Sequence, residues 1–578
     1  MVDRAQISRS SLRCLTRLAQ WKPRARGRLA RAVVSRFPST IDPALDVAIE
    51  TGDPIGTILA QRLESCEDPE ILERVAVRCE EEGTLYSVPL QEVAEVVTRK
   101  LIELGVHDSL SEERRKARLA GLSMDLGNRL SAQGEHVEAL TYTREAVRLF
   151  RELASREPEI FLADLALALH NLGEALAELQ HTQEAFEATQ EAVAVLRPLA
   201  FQRPDLFQVD LAHSLDGFGM RLFQLGRIPE ALEAMREGID LQRTLPASQL
   251  RPAHLADSRL NLGLVLQSME RYKEALRWTE DAVDLYRELV NDRPDAFTPR
   301  LARGLSNLGL IYAELERGEE ALSCMQQAVL LFGKLAVERP WSFIAVYARS
   351  LSHFGLMTAG AGDIEDGLEF CEEAIRILRG LRKAYPDLSN LDLACSFSDL
   401  AMIRNLERDL VKAEQSLRRA LRLLRPLARE NPQACHKDLA TTLYNLATIL
   451  SLQGRRPAAA RLVREAVVLY RRLDEDHPSL YAAYLAASLL RWSWHVERLG
   501  RPGPALTACQ EGATLYRGLA HQNPGTYAPA FTAGLQMLYR LLQKTGRHRE
   551  ALEIQEELRN LRRKRKPRLP RERQEDFT

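Results

Sequence analysis

The sequence predicts an all-α solenoid of about ten antiparallel helix pairs. Three observations carry this: a self-similarity of 46 residues, small residues returning at three fixed positions in nine of the ten units (the tenth has Tyr539 and Leu558 at two of them), and Gly and Pro recurring at two helix boundaries. An array of this kind also resolves the length problem. At 578 residues the chain exceeds what one compact core supports, whereas a repeat packs only on its neighbours and can be added without limit.

The register is set by the small residue of a recurring E-A-L or P-A-L element, at Ala139, Ala185, Ala231, Ala275, Ala321, Gly367, Ala413, Ala459, Ala505 and Ala551. Eight of the nine steps are 46 residues and one is 44, the slip falling in the link between Thr244 and His254. Twelve residues earlier stands a second small position, which is Gly127, Gly173, Gly219, Gly263, Gly309 and Gly355 in the first six units and Ala401, Ala447 and Ser493 in the next three. Seven residues after the Ala comes a third, from Ala146 through Gly512. Gly inside a helix costs about 1 kcal/mol against Ala, so its return at one register implies two backbones that approach closely.

Gly134, Gly226, Gly362, Gly454, Gly500 and Gly546 lie five residues before the E-A-L Ala, where a left-handed residue would end the first helix. Pro158, Pro204, Pro294, Pro340, Pro386, Pro432, Pro478 and Pro524 end the second. Each unit therefore reads as helix A of about 17 residues, a short turn, helix B of about 18, and a Pro-marked link. Residues 113–560 hold ten such units and 37–112 a helical N-terminal cap. Residues 1–36 form a basic segment with ten Lys or Arg against Asp3, open to reading as an amphipathic surface helix, a leader, or the start of the solenoid. A basic tail follows over 561–578, with Arg562, Arg563, Lys564, Arg565 and Lys566 as its core.

Composition bounds the function. The net charge of −1 gives no field that would draw the chain to nucleic acid or to a membrane, so a nucleic-acid role is not expected outside the two basic ends. The eight cysteines are scattered and lack a C-x-x-C pair, which fits reduced thiols and a cytoplasmic protein. The longest apolar stretch, 480–490, is too short to span a bilayer, so no transmembrane segment is expected. No H-E-x-x-H, G-x-S-x-G, G-x-G-x-x-G, P-loop or EF-hand pattern occurs. We therefore expect no enzyme, no cofactor, no metal and no small-molecule substrate.

The spacing of the small residues, 12 then 7, with Leu172-Gly173, Leu262-Gly263 and Leu308-Gly309 on helix A and the A-L of helix B, resembles the tetratricopeptide repeat (TPR). The usual unit is 34 residues; here the additional length can be taken up by longer helices. Segments such as 164–173 and 293–297 further resemble the repeat arrays of bacterial STAND-type signalling proteins, though the ATPase of that family has no counterpart here. The resemblance implies a right-handed superhelix whose concave helix A surface binds a peptide or helix of a partner protein. It places contacts two residues before the helix A small position, at Asn171, Asn261, Asn307, His353, Asp399 and Asn445. Asn donates and accepts together, which suits a peptide backbone; the same residues could instead bridge neighbouring helices. Arg303 and Arg349, six residues before Gly309 and Gly355, could hold an acidic peptide or a C-terminal carboxylate. Leu264, Leu310 and Leu356 stand where the carboxylate clamp of the family needs polar groups. The chain therefore lacks the full clamp. Bacterial signalling alongside a separately encoded ATPase or effector is the wider context the resemblance suggests.

Overall fold

The computed structural model describes residues 41–565 except for 52–54, 82–87, 105–110, 134, 180, 247–248, 339, 385–389, 431 and 477–479. Every regular element among the described residues is a helix, 24 in all. The basic N-terminal segment and the tail beyond Arg565 lie outside them.

Four helices come first: α1 (Ile41–Thr51), α2 (Ile55–Leu63), α3 (Pro69–Glu81) and α4 (Val88–Glu103). Ile41, Leu45, Ile55, Leu59, Leu72, Val75, Val93 and Val97 form a buried core that reaches Leu122 of the first repeat. Arg118 reinforces that junction by donating to Glu73 at 2.6 Å. Ten hairpins follow. Their A helices are α5 (Glu112–Gln133), α7 (Pro158–Glu178), α9 (Pro204–Gln224), α11 (Pro252–Ser268), α13 (Pro294–Glu314), α15 (Pro340–Gly360), α17 (Asn390–Leu406), α19 (Pro432–Leu452), α21 (Ala482–Arg498) and α23 (Pro524–Lys544). Their B helices are α6 (His136–Arg156), α8 (Thr182–Gln202), α10 (Ile228–Thr244), α12 (Tyr272–Asp292), α14 (Gly318–Glu338), α16 (Ile364–Ala384), α18 (Leu410–Glu430), α20 (Arg456–Asp476), α22 (Pro502–Gln522) and α24 (His548–Arg565).

Most of these helices are 21 residues long, which is where the excess over 34 is stored. Six of the eight prolines expected to close helix B in fact open helix A, Pro158 and Pro204 being the first residues of α7 and α9, while Pro386 and Pro478 lie outside the described residues. A residue at that position has no intrahelical partner for its N–H, and proline has none to lose. At the third link, where the period drops to 44, both flanking helices α10 and α11 are only 17 residues long, the link runs over 245–251, and Pro252 takes the helix-opening part.

The recurrent glycines hold the two helices of a hairpin together. A Cβ on Gly219 would stand 2.6 Å from Met235 of α10, and one on Gly355 would stand 2.7 Å from the carbonyl oxygen of Gly367 on α16. Gly173 and Gly263 meet Thr189 and Thr279 in the same way. The turn between helices carries a left-handed residue at the predicted register, with φ of 71° at Gly226, 78° at Gly454 and 77° at Gly500. There the next N–H closes on the helix end, as Arg227 N does on Leu222 O at 2.9 Å. Three units set a non-glycine in this conformation: Glu270, Glu316 and Arg408.

The chain divides into two compact units, one running to Leu266 and resuming over Lys273–Asn307, the other formed by Gln267–Tyr272 and Leu308 onward. Within each, successive hairpins stack through a continuous apolar layer. In the first, Val147, Phe150 and Leu153 of α6 meet Leu165, Ala168 and Leu169 of α7. In the second, Leu417, Leu421 and Leu424 of α18 join Leu439, Leu443 and Leu446 of α19. Against the expectation that no segment could span a bilayer, helix α7 is long and apolar enough to do so by length and composition, yet half of its most apolar window is buried inside the array. Its Leu165, Ala166, Ala168 and Leu169 are core residues between α6 and α8.

Successive B helices are tied by ion pairs in one register. Arg151–Glu191 at 2.8 Å, Arg197–Glu237 at 2.7 Å, Arg425–Glu465 at 3.1 Å, Arg471–Glu511 at 2.7 Å and Arg517–Glu557 at 2.9 Å each join residues 40 apart. The Arg lies five residues after one small position and the Glu one before the next. Such exposed pairs are worth at most about 1 kcal/mol each.

Candidate functional site

Helix A presents one face built from positions two, three, six and nine residues before its small residue, as helical periodicity dictates. In the first unit this face lines a cavity of about 610 Å³ spanning five repeats, from Gly127 of α5 to Arg303 of α13. Its walls include Asn171, His170 and Glu174 from α7, His213, Asp216, Gly217 and Arg221 from α9, Asp257 and Asn261 from α11, and Arg300 and Arg303 from α13.

Three histidines form a row across this face. The ring centroids of His170 and His213 are 4.3 Å apart, as are those of His213 and His254. Burial lowers His170 to about 4, holds His213 well below the ordinary imidazole range, and lowers His254 to about 4. Three neutral rings can stack where three imidazolium ions would repel. Among the described residues no group of His, Cys, Asp and Glu is arranged to hold a metal ion.

Asp216 is the buried acid of the cavity, 6% exposed. Asn261 Nδ2 donates to its Oδ2 at 2.9 Å, while Oδ1 accepts no hydrogen bond. Burial pushes this carboxyl up to about 7, against the opposing effect of the Asn261 amide. Beside it Arg221 donates from Nη2 to Glu174 Oε1 at 3.1 Å, and its Nη1 has no acceptor. Gly217 occupies the register where other repeats place Asn; a Cβ there would stand 3.0 Å from His170 and 3.3 Å from Glu174, so the missing side chain leaves room for both. At the other end, Asp257 accepts from Tyr286 and pairs with Arg300 at 3.1 Å and Arg303 at 4.0 Å.

The residues singled out by sequence divide into two groups. Asn171, Asn261 and Arg303 line this cavity together. His353, Asp399, Asn445 and Arg349 belong to the second unit, and Asn307 is half-buried at the end of the first. Asp399 is buried; it accepts from Ser352 Oγ at 2.8 Å, faces His353, and burial raises its pKa. Arg349 reaches Asp392 at 3.4 Å. Arg303 and Arg349 thus each lean on an aspartate of an adjacent repeat, Asp257 and Asp392, and the two lie in different units.

A rule emerges from these pairs. The residue two before the small position in one repeat bonds to the residue three before it in the preceding repeat: Asn261 to Asp216, Asp399 to Ser352, and Arg491 to Tyr444. Arg491 Nε donates to the Tyr444 hydroxyl at 3.3 Å, with its guanidinium 5.5 Å from the ring centre. At these three sites the bridging of neighbouring helices is what the register achieves. Sequence reasoning missed His170, His213, His254, Asp216, Asp257, Arg221 and Arg300. The signal was present, since His254 and Arg300 stand nine before the small residue, His213 and Asp257 six, and His170 and Asp216 three.

Three of the hairpins match tetratricopeptide repeats. The tetratricopeptide-repeat family matches residues 255–295 and 439–479 in one form and 302–333 in another, in the fourth, eighth and fifth hairpins. Among solved structures the chain is similar to a Rap protein complexed with competence and sporulation factor, at 13% identity over 70% of this chain and 99% of the other, with a TM-score of 0.47. It is also similar to the apo form of the quorum sensor NprR from B. thuringiensis, at 14% identity over 66% and 97%, with a TM-score of 0.44. BtubC from P. vanneervenii is a third, at 19% identity over 43% and 92%, with a TM-score of 0.34. No curated protein matches the sequence.

Proposed function

We propose that the protein is a binding scaffold, not an enzyme, whose helix A face in the first unit holds a peptide or helix of a partner protein. The observation supporting this reading is the 610 Å³ cavity walled by polar side chains from successive A helices, including Asn171, Asn261 and Arg303. A surface evolved only for stacking has no use for buried polar groups such as His170, Asp216 and Arg221 in that wall, because each costs free energy unless it is paired. An elongated site also suits an elongated ligand, which gains one set of contacts per repeat. A role in bacterial signalling, within the cytoplasm and alongside a separate effector, is the setting in which such a scaffold works. The test is site-specific photocrosslinking in the native cell. A crosslinker at Asn171 or Arg303 is expected to trap a common protein partner, while one at Arg148 on helix B is not. Trapping of the same partners from all three positions, or of none from the first two, would overturn the reading.

A further inference from the structure

The cavity of the first unit is lined by four acidic side chains, Glu174, Glu178, Asp216 and Asp257, and three basic ones, Arg221, Arg300 and Arg303. They are not evenly mixed. Asp257 is shared by Arg300 and Arg303 and donated to by Tyr286, so its charge is more than matched and that end carries a surplus positive charge. At the other end Arg221 is the one guanidinium lining the wall beside three carboxylates, and it is engaged by Glu174. Asp216, more than nine-tenths buried, is left with a side-chain amide on one oxygen and nothing on the other. A buried carboxylate is strongly disfavoured without a cationic partner.

We propose that this end of the cavity receives a cationic N–H group from the bound peptide, held between Asp216 and Glu174. The group is the head of a basic side chain or the free amine of the peptide's N-terminus. Arg221 Nη1, also buried and without an acceptor, is placed to take a carbonyl oxygen of the same peptide. Gly217 provides the space, since a side chain at its position would press on His170 and Glu174. The inference rests on the peptide-binding reading of this face and names the chemistry it selects.

The proposal has a proton signature. Burial holds Asp216 at about 7, so at neutral pH the empty site is partly protonated. A cation beside it lowers that pKa, and binding at pH 7 should release on the order of half a proton. Three pentapeptides serve as probes in titration calorimetry on the full chain: an acetylated, amidated alanine peptide with a central lysine, an amidated alanine peptide with a free N-terminus, and the acetylated, amidated all-alanine peptide. At least one cationic peptide is expected to bind ten times more tightly than the neutral one, with proton release seen across buffers of different ionisation enthalpy. Which of the two does so identifies the source of the cation. Asp216→Asn and, independently, Glu174→Gln should reduce that preference below threefold, with Asp216→Asn abolishing the proton release. Arg148→Ala on helix B should leave both intact. Equal affinity for all three peptides would sink this inference and leave the scaffold reading standing. It is equally overturned if none binds at millimolar concentration, or if the preference survives both variants.

Discussion

At the level of single residues, the stacked histidines and Asp216 pull the stability of the first unit in opposite directions with pH. An imidazole with its folded pKa lowered to about 4 binds fewer protons folded than unfolded, so its contribution is present above about pH 6.5 and is lost as pH falls toward 4. For His170 alone, 4% exposed, this amounts to roughly 3 kcal/mol at full extent. Asp216 has its folded pKa raised to about 7, so it binds more protons folded than unfolded, and stability declines as pH rises from about 4 through 7. We expect Asp216→Asn to remove the second trend: denaturant titrations at pH 5 and pH 8 should show a larger gain for the variant at pH 8. A gain at pH 5 that equals or exceeds the one at pH 8 would show that the carboxyl is not held up by burial.

The element that matters is the hairpin, and two of its features predict substitutions of opposite sign. Arg408 adopts a φ of 64° in the register where Gly226 and Gly454 stand. A side chain in the left-handed region costs about 1 kcal/mol that glycine does not, so Arg408→Gly should stabilise its hairpin by about that amount in urea titrations. A neutral or destabilising result would show that the turn is held by the arginine side chain. Gly355→Leu should do the reverse. The new side chain would meet the Gly367 carbonyl and the Phe370 side chain where α15 crosses α16, and overpacking of this kind costs about 1–3 kcal/mol. Cys371 belongs to this crossing, four residues after Gly367, and Cys509 holds the equivalent place in its own hairpin, four residues after Ala505.

For the whole molecule, stability is expected to be a sum of hairpins and of the interfaces between neighbours, not one cooperative quantity. Gly355→Leu should therefore accelerate amide exchange in α15 and α16 and their immediate neighbours while leaving α7 to α9 unchanged. Uniform acceleration along the chain would indicate a single cooperative fold. The Arg–Glu pairs along helix B contribute to the interfaces only weakly, and the register has a gap: Arg287 is matched with Gln327, Gly333 with Glu373, and Arg379 with Arg419. Both of the last two arginines lie over the Phe397 ring instead, at 5.3 Å and 5.9 Å from its centre.

Much of this architecture is written in one dimension. The 46-residue period, the close helix crossings and the left-handed turns follow from where Gly, Ala and Pro stand, because backbone sterics act locally and repeat with the sequence. Five of the six glycines expected to be left-handed are so, Gly134 lying outside the described residues. The non-glycine turns at Glu270, Glu316 and Arg408 were not legible, since nothing local compels those residues to that conformation and only the packing of both flanking helices does. The site was legible in part. Its register could be found from periodicity, and Asn171, Asn261 and Arg303 do share one cavity. That Asn261 is bound to Asp216, that three histidines from three repeats meet ring to ring, and that one acid is left short of a counter-charge depends on residues 41 to 45 positions apart in sequence. The hairpin and its period follow from residue order alone. Tertiary structure decided which polar groups spend their hydrogen bonds on a neighbour and which keep them for a ligand, because pairing depends on distance and burial between repeats, and neither is recorded in any one of them.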